Sequence, residues 1–224
     1  MADYQDAVNF IQEWEGGISG HPADNASKNP SPCGIDPKYN APIHTNKGVQ
    51  WATYKGNVAG YNCEEFLIMP SPVWLYLWEK KYFNKVGSNL IVNQAVANTY
   101  AEWAWLSGVG TANREMQSFL INQYGYTLAE VSSKYQRIAI LNDLSAEDSE
   151  TLFNNLIEWR RNFYGGLSDF SVFGTGWIRR LDDFKKYNKK YVSKGKNKAK
   201  FDWQLALIIL LFLVSLVLFY FAVK

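Results

Sequence analysis

Apolar residues recur at helical spacing at the start of the chain. Tyr4, Ala7, Val8, Ile11 and Trp14 share one face, and Gly16-Gly17 closes the run, predicting an amphipathic first helix with Glu15 in its last turn. Residues 18–46 lose this periodicity among Gly, Pro, Asn and Ser and read as irregular, with a short β-hairpin around Ile18–Ser19 and Ile43–Val49. Order returns at Gly48-Val49-Gln50-Trp51-Ala52-Thr53-Tyr54, the start of a short helix. Ser71-Pro72 supplies a cap and a first-turn proline for a helix to about Phe83. Residues 90–106 are apolar on most faces and stop at Ser107-Gly108, which marks the central buried helix. Another helix is predicted from Ala112 to Tyr124, followed by turns over 125–144. Ser145-Ala146-Glu147-Asp148 resembles a capping box and opens a helix to about Tyr164, stopped by Gly165-Gly166. A last helix runs from about Gly176 into the basic residues 185–200. No strand pattern alternates over more than four residues, so the fold class is mainly α, with at most a small β-hairpin.

The tail breaks with everything before it. Residues 205–223 carry no charge and are mostly Leu, Ile, Val and Phe. At about 1.5 Å per residue, nineteen helical residues span roughly the 30 Å core of a bilayer. The pattern predicts a single transmembrane helix over 203–224, with Trp203 and Tyr220 at the two interfaces. The first residues, Met-Ala-Asp-Tyr-Gln-Asp, lack a basic and an apolar region, and no secretory signal peptide is expected.

Charge sharpens this division. The formal net charge is +2, yet residues 1–178 hold twelve Lys/Arg against eighteen Asp/Glu, and residues 179–200 hold ten against two. The body is acidic, which argues against nucleic acid as a partner, and 185–202 reads as a basic linker beside the membrane. Thirty-six aromatic residues support a sizeable core and leave rings for sugar contacts. Cys33 and Cys63 leave two readings open, a bridge or two thiols. His21 and His44 have no partners at metal-ligand spacing, so neither a metal nor a cofactor is expected.

The chemistry concentrates near the N-terminus. Glu15 stands before two glycines, Asp24 follows nine positions later in a polar stretch, and Thr45 lies where order resumes. A glycosidase needs one carboxyl to protonate the leaving oxygen and a second group for the opposite face of the sugar. The helix's negative end would help Glu15 keep its proton, while Asp24 would stay ionised in its loop. Nothing else in the chain offers a phosphate loop, a nucleophile elbow or a Cys-His pair.

Trp14-Glu15-Gly16-Gly17, Pro22-Ala23-Asp24 and Thr45-Asn46-Lys47-Gly48-Val49 resemble the N-terminal signature of glycoside hydrolase family 108, the bacterial and phage N-acetylmuramidases. Tyr82-Phe83-Asn84-Lys85-Val86, Asn93-Gln94-Ala95-Val96-Ala97-Asn98 and Trp105-Leu106-Ser107-Gly108 resemble that family's helical body. Glu158-Trp159-Arg160-Arg161-Asn162-Phe163-Tyr164 and Gly176-Trp177-Ile178-Arg179-Arg180-Leu181 are similar to the peptidoglycan-binding module that usually follows. The resemblance covers roughly residues 5–185. It departs from the pattern at Asn25 to His44, where about twenty residues replace a short Gly-Gly loop beside the presumed cleft.

The resemblance implies a lysozyme-like helical fold. It also implies a muramidase region over 1–110 and a helical wall-binding region over 111–184 packed on it. The reaction would be cleavage of the β-1,4 bond between N-acetylmuramic acid and N-acetylglucosamine, with Glu15 as acid. Asp24 would be the second carboxylate, and Thr45 would hold the water, in an order similar to phage-type lysozymes. Trp51, Tyr54 and Trp105 are candidate sugar platforms or core. Asn98 and Glu102, one turn apart on the central helix, either support the Glu15 end of the cleft or form a satisfied core pair. The expected partners are glycan strands and, through residues 203–223, a bilayer of the host or of a phage virion; oligomeric state is left open. A lytic transglycosylase and a wall-binding protein with a decayed site are the competing readings.

Overall fold

The computed structural model describes residues 1–195. Helix α1 spans Val8–Trp14, and its apolar face buries Val8, Phe10 and Ile11 as the spacing predicts. Two small sheets follow. Strand β1, Ile18–Ser19, pairs antiparallel with β4, Thr45–Asn46, which pairs with β5, Val49–Gln50. Between them, β2 (Ile35–Asp36) and β3 (Ala41–Pro42) form a hairpin of their own. The stretch expected to be irregular beyond one hairpin therefore carries two sheets, and the Asn25 to His44 insertion is ordered by its own strands.

A disulfide between Cys33 and Cys63 staples this insertion to the first turn of α3, Cys63–Ile68. By loop entropy, a bridge across a sequence separation of 30 contributes about 3–4 kcal/mol. Around it lie α2, Trp51–Lys55, and α4, Ser71–Leu77, which runs on through a π-helical stretch, Trp78–Phe83, into α5, Asn84–Val86.

Helix α6, Gln94–Ser107, is the axis of the molecule, buried continuously from Ala95 to Trp105. Its apolar composition on most faces favours this, and its polar residues Asn98 and Glu102 are buried against partners on two later helices rather than turned to water. Helix α7, Val109–Tyr124, and the short α8, Leu128–Val131, cover one flank. Helix α9, Lys134–Gly165, and α10, Phe170–Gly195, lie against each other and against α6. Asn98 of α6 and Asn188 of α10 share a buried hydrogen bond of 2.8 Å that ties the two together.

Two expectations are corrected here. Residues 134–144 are helical, not turns, because Ser133 and Gln136 form a capping box that starts α9 early. The break near 148 is a kink inside α9, where Asp148 leaves helical geometry and its carboxylate accepts from the Thr151 amide at 3.0 Å. Asp148 is thus the new cap, and Ser145 instead bonds back to the Leu141 carbonyl. Residues 185–195 of the expected linker continue α10. The predicted transmembrane helix at 203–224 lies outside the described residues, among which no helix is long and apolar enough to cross a membrane.

Candidate active site

Glu15 sits one residue past the end of α1. Its amide still bonds to the Ile11 carbonyl at 3.0 Å, but its backbone is extended, and Gly16-Gly17 carry the chain away toward β1. Its side chain is 11% exposed. Trp105 Nε1 donates to Glu15 Oε1 at 2.7 Å, and Arg180 Nη1 donates to the same oxygen at 2.9 Å. The charge next to Glu15 is therefore the Arg180 guanidinium.

The other oxygen, Oε2, lies on the Gly48 side. A Cβ placed on Gly48 would stand 2.3 Å from Glu15 Oε2 and 2.8 Å from Trp105 Cζ2. Gly48 also holds φ +76° and Lys47 φ +46°, so the two residues between β4 and β5 both occupy the left-handed region of a type I′ hairpin turn. The turn is anchored from below. Asn46 Nδ2 donates to the Phe66 and Leu67 carbonyls at 2.7 and 2.9 Å, and Lys47 Nζ to those of Ile68 and Met69, each at 3.1 Å. These are the unsatisfied carbonyls at the end of α3, so the Thr-Asn-Lys-Gly motif acts as a cap in trans. Trp74 Nε1 completes the clamp on the Lys47 carbonyl at 2.9 Å.

A groove passes Glu15 on both sides. One lobe, about 340 Å³, is lined by Gln12, Glu15, Lys47, Met69, Ser71 and Trp74. The other, about 400 Å³, is lined by Glu15, Ser19, Asp36, Tyr39, Thr45 and Gly48 among others. Gly16 and Gly17 are common to both lobes, leaving the floor beside the carboxyl without side chains. Thr45 Oγ1 lies 2.9 Å from His44 Nδ1, and the buried His44 ring contacts the His21 carbonyl through Nε2 at 3.1 Å.

Asp24 lines neither lobe. It caps the 3-10 turn Asn25–Lys28 by accepting from the Ala26 amide at 2.9 Å, a local role that its place before a turn explains. The carboxylate lining the groove with Glu15 and Thr45 is Asp36, on β2 of the insertion. Asp36 is buried and accepts from the Gly20 amide at 2.7 Å and the Lys38 amide at 2.9 Å. The Gly20 amide holds its carboxyl below the ordinary range against the opposing effect of burial, helped by the Lys38 amide and the charges of Lys38 and His44. The sequence does not single it out, because the insertion departs from the family pattern and no motif there marks a site residue. The available signal was a second carboxylate before the turn at Pro37-Lys38.

The candidate platforms mostly serve the core. Tyr54 is fully buried with its hydroxyl on Glu65, and Trp51 packs on Tyr54, Tyr61 and Phe66. Asn98 bonds to Gln94 and Asn188, in the core. Trp105 is 7% exposed, with its ring among Trp74, Trp78 and Tyr82, and reaches the site only through its indole N–H. Glu102 is buried and receives Arg180 Nε at 2.8 Å and Arg160 Nη2. Burial pushes the Glu102 carboxyl up, but the two guanidinium groups outweigh it and hold it below the usual range. Glu102 thus supports the Glu15 end through Arg180. No cluster of three His, Cys, Asp or Glu suited to a metal occurs among the described residues.

Residues 8–108 match the family model described as Glycosyl hydrolase 108. This stretch is a glycoside hydrolase domain. It contains Glu15, Thr45, Glu102 and Trp105, while Arg180 lies beyond it. The fold is similar to the solved structure of SagA from Brucella abortus, with a TM-score of 0.58 and 21% identity over 84% of this chain and 95% of that one. The hydrolase domain and the helices after it therefore have a precedent as one architecture. No curated protein matches the chain.

Proposed function

We propose that the protein is a peptidoglycan hydrolase of the muramidase type, cleaving the β-1,4 bond between N-acetylmuramic acid and N-acetylglucosamine. The observation that carries this is Glu15, with one oxygen held by Trp105 and Arg180 and the other beside Gly48, in a residue that lines a groove with Gly48, Thr45 and Asp36. Glu15 Oε2 donates the proton to the glycosidic oxygen. Asp36, kept ionised by its amide bonds, supports positive charge at the anomeric carbon, and Thr45 positions the attacking water.

Digestion of purified sacculi followed by mass analysis of the muropeptides tests the reaction. Free reducing ends on N-acetylmuramic acid support hydrolysis there, and 1,6-anhydro ends would replace it with a transglycosylase. In the same assay Asp36→Asn is expected to lose at least tenfold in rate, whereas Asp24→Asn stays within about twofold. The opposite ranking would return the second role to Asp24. The apolar residues 205–223 support a further reading, a lytic enzyme of phage type tethered to a bilayer. Full-length protein should sediment with membranes after alkaline washing and a chain ending at residue 200 should not; equal behaviour of the two would end the tether proposal.

A further inference from the structure

An unbroken run of buried polar contacts starts at Glu15 and leads into the C-terminal helices. Arg180 of α10 bonds to Glu15 through Nη1 and to Glu102 of α6 through Nε, at 2.9 and 2.8 Å. The other Glu102 oxygen receives Arg160 of α9, whose Nη2 also reaches the Tyr164 hydroxyl at 2.7 Å. The Arg160 guanidinium is enclosed by the rings of Trp103, Tyr164 and Phe184, each within 5.6 Å. Arg180 and Glu102 are 8% and 1% exposed, so both Glu102 oxygens have exchanged water for guanidinium groups, while Arg180 Nη2 and Arg160 Nε and Nη1 are buried without a hydrogen-bond partner. Such burial has a desolvation cost that only well-formed partners offset, and it gives the cluster one arrangement.

We propose that Arg180, held in place by Glu102, is the positioning residue that assigns the proton of Glu15 to Oε2, the oxygen beside Gly48, itself a lining residue of the groove. The argument is one of donors and acceptors. Two N–H groups, from Trp105 and Arg180, already point at Oε1. A carboxyl oxygen offers two lone pairs, so a proton on Oε1 would meet a donor head-on, while Oε2 receives no hydrogen bond from either group. The protonated form of Glu15 is then a carbonyl-like Oε1 accepting twice and an O–H directed to Gly48. Glu102 is needed because Arg180 must stay partnered whichever form Glu15 takes. With Glu102 present, Glu15 can lose and regain its proton without stranding a guanidinium. The orientation of the acid is therefore set from α10, outside the family-matched residues 8–108.

This inference rests on Glu15 being the proton donor, and the test separates the two. Rates on sacculi digested to soluble glycan oligomers are measured for Glu15→Gln, Arg180→Met, Arg180→Lys and Arg180→Gly, the last with and without added guanidinium chloride. Arg180→Met is expected to lose about 10–100-fold in kcat, the scale of a misplaced catalytic group, with KM within about twofold. Guanidinium should restore part of the rate to Arg180→Gly but none to Glu15→Gln. Arg180→Lys, which keeps the charge but not the fork, should fall between wild type and Arg180→Met. Wild-type kcat in Arg180→Met, or a loss borne wholly by KM, would overturn the positioning role while leaving Glu15 as the acid. If Arg180→Met does not fold, Arg180→Lys decides: a lowered kcat at unchanged KM supports the role, and wild-type kcat overturns it. Activity in Glu15→Gln would instead end the underlying reading.

Discussion

Glu15→Gln should leave a folded protein that releases no reducing ends from sacculi above background. The amide matches the carboxyl in volume, and its oxygen can still accept from Trp105 and Arg180, so the buried cluster keeps its partners. What it lacks is a transferable proton on the Gly48 side. General acid catalysis contributes about 10²–10⁴-fold, so the loss should fall in that range. The comparison requires matched circular dichroism and thermal unfolding of the two proteins. A variant that keeps more than about a tenth of the wild-type rate excludes Glu15 as proton donor.

The second large effect is expected at a residue with no side chain. Gly48→Ala would place a methyl group 2.3 Å from Glu15 Oε2, far inside contact distance, at a position with φ +76°. The left-handed backbone costs about 1–3 kcal/mol for a residue with a Cβ, and the hairpin turn cannot shift freely because Asn46 and Lys47 hold it to α3. The carboxyl is the group that must yield, and it would yield at the point of chemistry. Activity is expected to drop more than about 100-fold, with only moderate loss of stability in urea. A Gly48→Ala protein with wild-type rates would mean that the groove wall at this point does not meet the substrate.

These two positions show which parts of the site the sequence makes readable. Glu15 stands out because a local pattern announces it, an apolar helix ending in two glycines. The same holds for α6, whose apolar faces predict its burial. Gly48, which the sequence reads as the start of a helix, instead lies in the turn before β5, and the helix begins only at Trp51. Asp36 and Arg180 have no comparable signal. Asp36 reaches the groove only because the insertion folds into its own hairpin and is bridged to Cys63, events distant in sequence. Arg180 looks like one of two adjacent arginines on a surface-patterned helix. Its neighbour Arg179 lies over the Trp14 ring, and only the turn of α10 sends Arg180 inward. Spacing favours Asp24, whose oxygen in the fold accepts from the Ala26 amide as a local cap, a role that spacing does not reveal. Trp51 and Tyr54 have the composition of sugar platforms and the burial of core, a distinction that depends on packing and not on residue type.

The path from Glu15 to Arg180 crosses 165 positions of chain. A protein growing from the ribosome therefore presents all of its family-matched residues 8–108 long before the acid has both of its partners. A product that stops at the end of the family-matched segment leaves Glu15 Oε1 with the indole alone and Glu102 without either guanidinium. Competence for bond cleavage is in this way deferred until α10 has been made and closes against α1.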